Sequence, residues 1–181
     1  IGLFHHGIPC NYNGLVFFDA AFKTQQVFKG PANNKNIFID VATDAENNVW
    51  AIDNRGLLYV VDNKTKTTQL INALPGAAPL SENNKLLRLA SDSKGNVWLA
   101  GNREVYNYDV RSKTITTFLI PLHQFSKYSK SGIQALNLVT DSKNNAWAAS
   151  NAGLFKFDVS TKQVQYFYNE ISPNQSLASG N

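Results

Sequence analysis

Apolar and polar positions along the chain follow a pattern that occurs three times. Each occurrence opens with a short apolar run, at 37–42, 86–90 and 135–139, and continues through a polar turn into a segment that contains a tryptophan. Two further short segments rich in β-branched and aromatic residues follow. Short, dense runs without a sustained helical period predict β-strands. We expect the opening run to be the innermost strand of a sheet, buried on both faces.

The tryptophans give the period of the repeat. Trp50, Trp98 and Trp147 are 48 and 49 residues apart. A period of 40–50 residues with four strands in each unit indicates the blades of a β-propeller. The sequence therefore predicts an all-β protein with four-stranded antiparallel blades.

Two aspartates recur at fixed places in each unit, one before the tryptophan and one after the third strand. The first set is Asp44, Asp92 and Asp141, and the second is Asp62, Asp109 and Asp158. An aspartate can accept hydrogen bonds from backbone N–H groups two and three residues on, and Asn47, Gly95 and Asn144 suit a left-handed turn. We interpret both sets as turn builders and the tryptophans as packing between blades.

The blades are predicted at about 36–71, 84–120 and 133–168. Residues 1–30 form a partial blade, because 14–19 and 24–28 match a third and an outer strand, and 169–181 form the lead-in to a further blade. The chain begins at Ile1 and has no methionine. We expect it to be part of one larger propeller, because an open propeller would expose wide apolar faces.

Composition narrows the choice of partners. The 17 lysines and arginines give a net charge of +4, but they are spread singly through turns, which does not favour nucleic-acid binding. No apolar run is long enough to cross a membrane. The single cysteine, Cys10, excludes an internal disulfide framework, and we interpret it as a small buried residue.

The phrase at 92–101, with the segment 151–158, resembles the two-component regulator propeller repeat, and 169–177 resembles the linker into its next unit. Glu104, where that repeat has glycine, and an insertion in 1–14 depart from it. The resemblance implies a seven-bladed propeller in the periplasmic or outer-surface part of a bacterial protein, commonly the glycan sensor of a hybrid histidine kinase. It also implies the remaining blades or an adjacent domain as partners, and allows a homodimer through the parent sensor.

Ligand recognition is expected on the face opposite the aspartate-led turns, where the loops vary. Arg55 and Arg103 occupy equivalent positions there and would suit an acidic sugar or a partner carboxylate. The alternative interpretation is that they are solubilising loop charges. The candidate ligand-binding residues are Arg55, Arg103, Asn54, Asn102, Asn151, His5, His6 and His123.

The preferred function is a non-catalytic sensor propeller that binds an oligosaccharide or another small ligand. One alternative is a surface or secretion-associated scaffold that binds protein. Another is a metal-dependent propeller lyase, resembling the streptogramin lyases, in which histidines and a divalent metal would act. No catalytic residue, metal or cofactor is predicted, because the sequence places no carboxylate near the histidines to orient a ring.

Overall fold

The structure, a computed structural model, describes residues 15–18, 25–28, 37–71, 84–121 and 135–167. These residues form fourteen β-strands and no helix. Strands β1 (Leu15–Phe18) and β2 (Gln25–Phe28) pair with each other in an antiparallel two-stranded sheet. The other twelve strands form three four-stranded antiparallel sheets, each following chain order from its first strand to its last.

The three sheets are repeats of one another and are called blades I, II and III. Blade I consists of β3 (Phe38–Thr43), β4 (Val49–Asp53), β5 (Leu58–Val61) and β6 (Thr68–Ile71). Blade II consists of β7 (Leu86–Ser91), β8 (Val97–Gly101), β9 (Glu104–Asp109) and β10 (Thr114–Leu119). Blade III consists of β11 (Ala135–Thr140), β12 (Ala146–Ser150), β13 (Gly153–Asp158) and β14 (Gln163–Phe167). The predicted all-β fold with four-stranded blades is confirmed.

The first strands of the blades lie side by side, with β7 between β3 and β11. Each carries a β-bulge at the same place, between Phe38 and Asp40, between Leu86 and Arg88, and between Ala135 and Asn137. The prediction that these inner strands are buried on both faces is wrong. They are buried at only two positions each, whereas β4 and β8 are buried at every position. The inner strand is an edge strand, so the second strand holds the centre of the blade.

The hydrophobic core consists of layers between successive blades. One layer joins Trp50 and Leu58 of blade I to Leu99 and Tyr106 of blade II. The next joins residues of blade II, including Trp98, to residues of blade III, including Phe155 and Phe157. A third layer packs Leu15 against blade I. Each blade therefore has a forward face, which meets the following blade, and a back face, which meets the preceding one.

Polar contacts tie the inner edges of neighbouring blades together. The Ser91 hydroxyl donates to the Thr43 carbonyl, and the Thr140 hydroxyl donates to the Ser91 carbonyl at 2.8 Å. The backbone N–H of Ala45 donates to the Gly95 carbonyl at 2.9 Å, and a Cβ at Gly95 would lie 2.5 Å from Ala45. Backbone groups at the edge of one sheet cannot all pair within that sheet. Some of them thus form hydrogen bonds across the blade junction instead.

Candidate functional site

The connections between second and third strands lie at one end of the blades, opposite the aspartate-led turns. This follows from the strand order, because antiparallel neighbours reverse direction at each turn. Five of the predicted ligand-binding residues lie in these connections, which we call the variable-face loops: Asn54, Arg55, Asn102, Arg103 and Asn151. His5, His6, His123 and Cys10 lie outside the described residues.

The first variable-face loop is built around the carboxylate of Asp53. This side chain is fully buried and accepts hydrogen bonds from the backbone N–H groups of Arg55 and Leu57, at 2.9 and 3.0 Å. The Arg55 guanidinium folds back onto Asp53 Oδ2, with Nε at 2.9 Å and Nη2 at 2.6 Å, and the Tyr59 hydroxyl lies 3.3 Å from the same oxygen. The hydrogen bond that the Arg55 guanidinium donates to Asp53 raises the pKa of Arg55. The guanidinium of Arg55 is therefore engaged within its own loop.

The second loop has no side chain at the position of Asp53, which is Gly101. Its polar centre is instead Asn84, which precedes β7 and whose Oδ1 accepts hydrogen bonds from the backbone N–H groups of Arg103 and Glu104, at 2.9 and 3.1 Å. Asn84 Nδ2 donates to the Glu104 carbonyl at 3.1 Å. A Cβ at Gly101 would lie 2.1 Å from Asn84 Oδ1, so the glycine makes room for this amide. Tyr106 donates its hydroxyl to the Glu104 carboxylate.

The third loop uses a hydroxyl in the same place. Ser150 Oγ accepts the backbone N–H of Ala152 at 3.1 Å and donates to the Gly153 carbonyl at 2.9 Å. Tyr166 of the outer strand donates its hydroxyl to the Ala152 carbonyl. Asn151 is exposed at the loop tip. A carboxylate, an amide and a hydroxyl thus support the three loops in turn.

The asparagines at the second position of these loops contact the start of the inner strand. The backbone N–H of Asn54 donates to the Ile37 carbonyl at 2.8 Å, and that of Asn102 donates to the Lys85 carbonyl at 3.2 Å. The side chain of Asn102 also accepts the Lys85 backbone N–H at 3.0 Å. Arg55 and Arg103 occupy matching places in adjacent blades, but binding of a ligand by these loops stays a prediction.

The aspartates at the opposite end hold the turns between strands. In the first turn of blade I, Asp44 Oδ1 accepts the backbone N–H groups of Glu46 and Asn48, both at 2.9 Å. Asp92 and Asp141 make the same pair of bonds, two and four residues on. In the second set of turns, Asp62, Asp109 and Asp158 accept from residues two and three positions on. Both sets of aspartates therefore stabilise the backbone of their turns.

Two of the tryptophans extend the first turn by a further hydrogen bond. Trp50 Nε1 donates to Asp44 Oδ2 at 2.8 Å, and Trp147 Nε1 donates to Asp141 Oδ2 at 2.9 Å. The hydrogen bond from Trp147, followed by those from Asn145, holds the pKa of Asp141 well below its usual range despite partial desolvation. Trp98 stacks on Phe118 at 5.7 Å between ring centroids and makes no such bond.

Sequence reasoning missed three polar residues on the inner strands, Asp40, Arg88 and Asn137. They occupy the same position in blades I, II and III, immediately after the bulge residue. Burial raises the pKa of Asp40, while hydrogen bonds from the backbone of Leu89 and Val41 and the charge of Arg88 oppose that rise. The signal was visible in the sequence, because each residue interrupts an otherwise apolar run at the same point of the repeat.

Within the described ranges, no group of three or more histidine, cysteine or acidic side chains is arranged to hold a metal ion. In the same part of the chain, no helix has the length and apolar character needed to cross a membrane.

The arrangement of blades is that of known β-propellers. The extracellular domain of the hybrid two-component system BT4673 from B. thetaiotaomicron superimposes with a TM-score of 0.61 at 15% identity, over 86% of this chain and 20% of that one. Virginiamycin B lyase from Staphylococcus aureus gives 0.64 at 12% identity, over 90% and 50%. YCF48, in its complex with a D1 peptide, gives 0.57 at 14% identity, over 86% and 47%.

These likenesses establish the propeller fold. The chain spans about a fifth of the length of the two-component system domain and half that of the lyase. No protein-family model matches the chain, and no curated protein sequence matches it.

Proposed function

We propose that this chain is the ligand-recognition part of a sensor propeller in a bacterial envelope protein, and that its ligands are glycan fragments. The observation that carries the proposal is the shared fold with the extracellular domain of a hybrid two-component system, in a chain whose repeat resembles the two-component regulator propeller. A periplasmic or outer-surface location belongs to the same proposal, since the structural relative is an extracellular domain.

The use of the polar side chains supports a binding role rather than a catalytic one. In the described loops, Asp53, Asn84 and Ser150 each accept backbone N–H groups and so hold the loop in shape. The turn carboxylates do the same at the opposite end. A scaffold whose loops are braced in this way presents its surface with little cost of ordering when a ligand binds.

Signalling would follow from a difference in affinity between two arrangements of the parent protein. A ligand that contacts the propeller and a neighbouring domain binds one orientation of the two better than another, and so shifts the population toward it. The rigid layers between blades suit such a role, since they transmit a rotation of the propeller as a whole.

We further propose that the propeller continues beyond blade III, in a ring of seven blades. The forward face of blade III is open where those of blades I and II are covered. Leu154 is 37% exposed, whereas Leu58 at the same position in blade I is 1% exposed. Phe167 is 47% exposed, against 3% for Phe118 of blade II. In blade I, Leu58 packs against the back face of blade II, which carries Leu99 and Tyr106. We expect the back face of a further blade to cover Leu154 in the same way.

A lysine substituted on the forward face of blade III tests, in the intact protein, whether a further blade packs there. If a further blade packs there, Leu154→Lys lowers the melting temperature, because a lysine would be buried without a partner. The matched control is Leu119→Lys, on the outer strand of blade II, where the leucine is 68% exposed. Equal, small effects of the two substitutions would show that this face is in water.

The sensing role is tested by calorimetry of the intact protein against neutral and acidic oligosaccharides of several linkages. Heat that saturates at one site with one class of glycan supports the proposal. If no member of a broad panel binds, the glycan-sensor proposal is wrong, and the two alternative functions described next are favoured instead.

Two alternatives each have one observation in their favour. The lyase superimposes with a TM-score of 0.64, so a metal-dependent elimination is tested by adding a streptogramin B substrate with Mg²⁺ and following ring opening. YCF48 shares the fold and is bound to a peptide, so a protein-binding scaffold is tested by a panel of peptides from envelope proteins. Turnover supports the first alternative, and peptide binding without glycan binding supports the second.

A further inference from the structure

The inner strands present a row of polar side chains that crosses all three blades. Asp40, Arg88 and Asn137 take the same register position on β3, β7 and β11, each just after a β-bulge. Because the inner strands are the edges of their sheets and pack against one another, they border the axis around which the blades are arranged. Bulges are a recurrent device for redirecting a side chain near a functional site. We call the row Asp40, Arg88 and Asn137 the axial row.

Hydrogen bonds link the axial row from one blade to the next. Asp40 Oδ2 accepts the backbone N–H of Leu89 in blade II at 2.8 Å. Arg88 Nε donates to the Leu136 carbonyl in blade III at 2.8 Å. The guanidinium of Arg88 thereby lies against the strand that carries Asn137.

Each side chain of the axial row also forms a hydrogen bond with the backbone of its own strand. Asp40 Oδ1 accepts the Val41 backbone N–H at 2.9 Å, and Asn137 Oδ1 accepts the Leu138 backbone N–H at 2.8 Å. Arg88 Nη1 donates to the Leu87 carbonyl at 2.6 Å. The three polar groups are therefore held in position before any ligand arrives, as a binding site requires.

The side chains of the axial row can form further hydrogen bonds in addition to these. Among the described residues, Arg88 Nη2 and Asn137 Nδ2 donate to no acceptor. Each carboxylate oxygen of Asp40 accepts one bond from the backbone and can accept a second. The axial row thus offers one donor in blade II, one donor in blade III and an acceptor in blade I. The bulge residues Ile39 and Leu136 are 39% and 52% exposed, so apolar surface adjoins the row.

We infer that the axial row binds a carboxylate-bearing sugar unit, such as a uronic acid. Its carboxylate accepts from Arg88 Nη2 and Asn137 Nδ2, and a ring hydroxyl donates to Asp40. The C–H face of the sugar ring has an apolar partner in Ile39 or Leu136. An inorganic anion would leave Asp40 without a donor, and a neutral sugar would offer Arg88 no charge. This inference rests on the proposed glycan-binding function and names its ligand class and place.

Calorimetry on the intact protein tests the inference with two probes, digalacturonic acid and its neutral counterpart galactobiose. The decisive variant is Asn137→Asp. It keeps the oxygen that accepts the Leu138 N–H, but replaces the Nδ2 donor by a charged acceptor that repels a carboxylate. We expect it to weaken digalacturonic acid binding by about tenfold or more, with the melting temperature retained. Asn63→Asp, the same change in an outer turn of blade I, should leave the affinity as it was.

A second variant addresses the cation. Arg88→Gln should also weaken binding of digalacturonic acid, whereas Arg111→Gln, which removes the same charge from an exposed turn, should not. If Asn137→Asp and Arg88→Gln bind digalacturonic acid as tightly as the parent protein, the axial site is wrong while glycan sensing stands. The site is equally wrong if galactobiose binds and digalacturonic acid does not. If no glycan binds at all, the proposed function fails and this inference fails with it.

Discussion

Trp98 and Asn107 face each other across β8 and β9, and each has a buried donor with no acceptor among the described residues. The two residues are register partners, and the atoms concerned are Trp98 Nε1 and Asn107 Nδ2. Trp98 is fully buried and Asn107 almost so. A buried polar group without a partner costs free energy, because it has given up water and gained nothing in exchange. This pair therefore lowers the stability of the packing between blades II and III.

Replacement of the amide should stabilise the protein. Blade I has Val60 at the place of Asn107, so a β-branched apolar side chain suits the strand. We expect Asn107→Val to raise the free energy of unfolding by about 1 kcal/mol. The measurement is chemical unfolding with urea, followed by circular dichroism.

The matched control is the same substitution at Asn84. That amide is also buried, but its Oδ1 accepts the backbone N–H groups of Arg103 and Glu104. Asn84→Val should therefore lower stability. Loss of stability in both variants would show that Asn107 has a partner, such as an internal water.

A second prediction compares the tryptophans. The Nε1–H of Trp50 donates to the buried carboxylate of Asp44, whereas that of Trp98 donates to no described acceptor. Both rings are buried, so Trp→Phe removes similar volume at the two places. We expect Trp50→Phe to cost roughly 1–2 kcal/mol more than Trp98→Phe, because a hydrogen bond to a charged group is lost only in the first. Equal losses, measured by urea unfolding, would assign the whole effect to packing.

The turns show how far the repeat could be interpreted from sequence. The sequence predicts a left-handed conformation for Asn47, Gly95 and Asn144, and their φ angles are 62°, 77° and 65°. Their residue types carry that information, because asparagine and glycine tolerate positive φ. The lysines of the second set of turns also have positive φ, at 60°, 56° and 56° for Lys66, Lys113 and Lys162. Lysine gives no local signal for that conformation, so the sequence did not predict it.

The candidate site was harder to predict because its contacts cross between distant parts of the chain. The sequence predicts that Arg55 suits an acidic sugar or a partner carboxylate, but in the structure the buried Asp53 two residues earlier engages it. In blade II the corresponding support comes from Asn84, which is 19 residues before Arg103. The axial row needs three strands to be brought side by side before its members become neighbours. Repetition in sequence shows which positions are equivalent, but it does not show which side chains meet.

A third prediction concerns acid stability. The pKa values of Asp62, Asp109, Asp141 and Asp158 are lowered in the fold, chiefly by hydrogen bonds from their own turns or, for Asp141, from Trp147. A lowered pKa means that these groups contribute stability above their ordinary pKa, near 4, and that this contribution is lost as the pH falls toward the folded value. The raised pKa of Asp40 acts in the opposite sense, but it is one group against four. The protein should therefore lose stability on acidification below about pH 4.

Trp147→Phe separates the contribution of Asp141 from those of the other aspartates. The variant lacks the indole donor, so the folded pKa of Asp141 moves back toward its ordinary value. The variant should be less stable than the parent at pH 6, and the difference should shrink as the pH falls from 4 to 2. The measurement is urea unfolding at several pH values. A difference that stays constant with pH would mean that Trp147 acts through its stacking on Phe167 alone.

The last prediction concerns whether Arg55 is held by the fold or offered to a ligand. Its side chain is 44% exposed, but its guanidinium lies 2.6 Å from a carboxylate that is fully buried. Removal of the cation leaves Asp53 charged inside the loop with the backbone N–H groups of residues 55 and 57 and the Tyr59 hydroxyl as its partners. Arg55→Ala should therefore lower the melting temperature by more than Arg111→Ala, which removes an exposed turn arginine. Asp53→Asn in the Arg55→Ala background should recover part of that loss, because the buried charge is then gone. If Arg55→Ala keeps the parent melting temperature and weakens glycan binding, Arg55 is a ligand contact and its pairing with Asp53 is secondary.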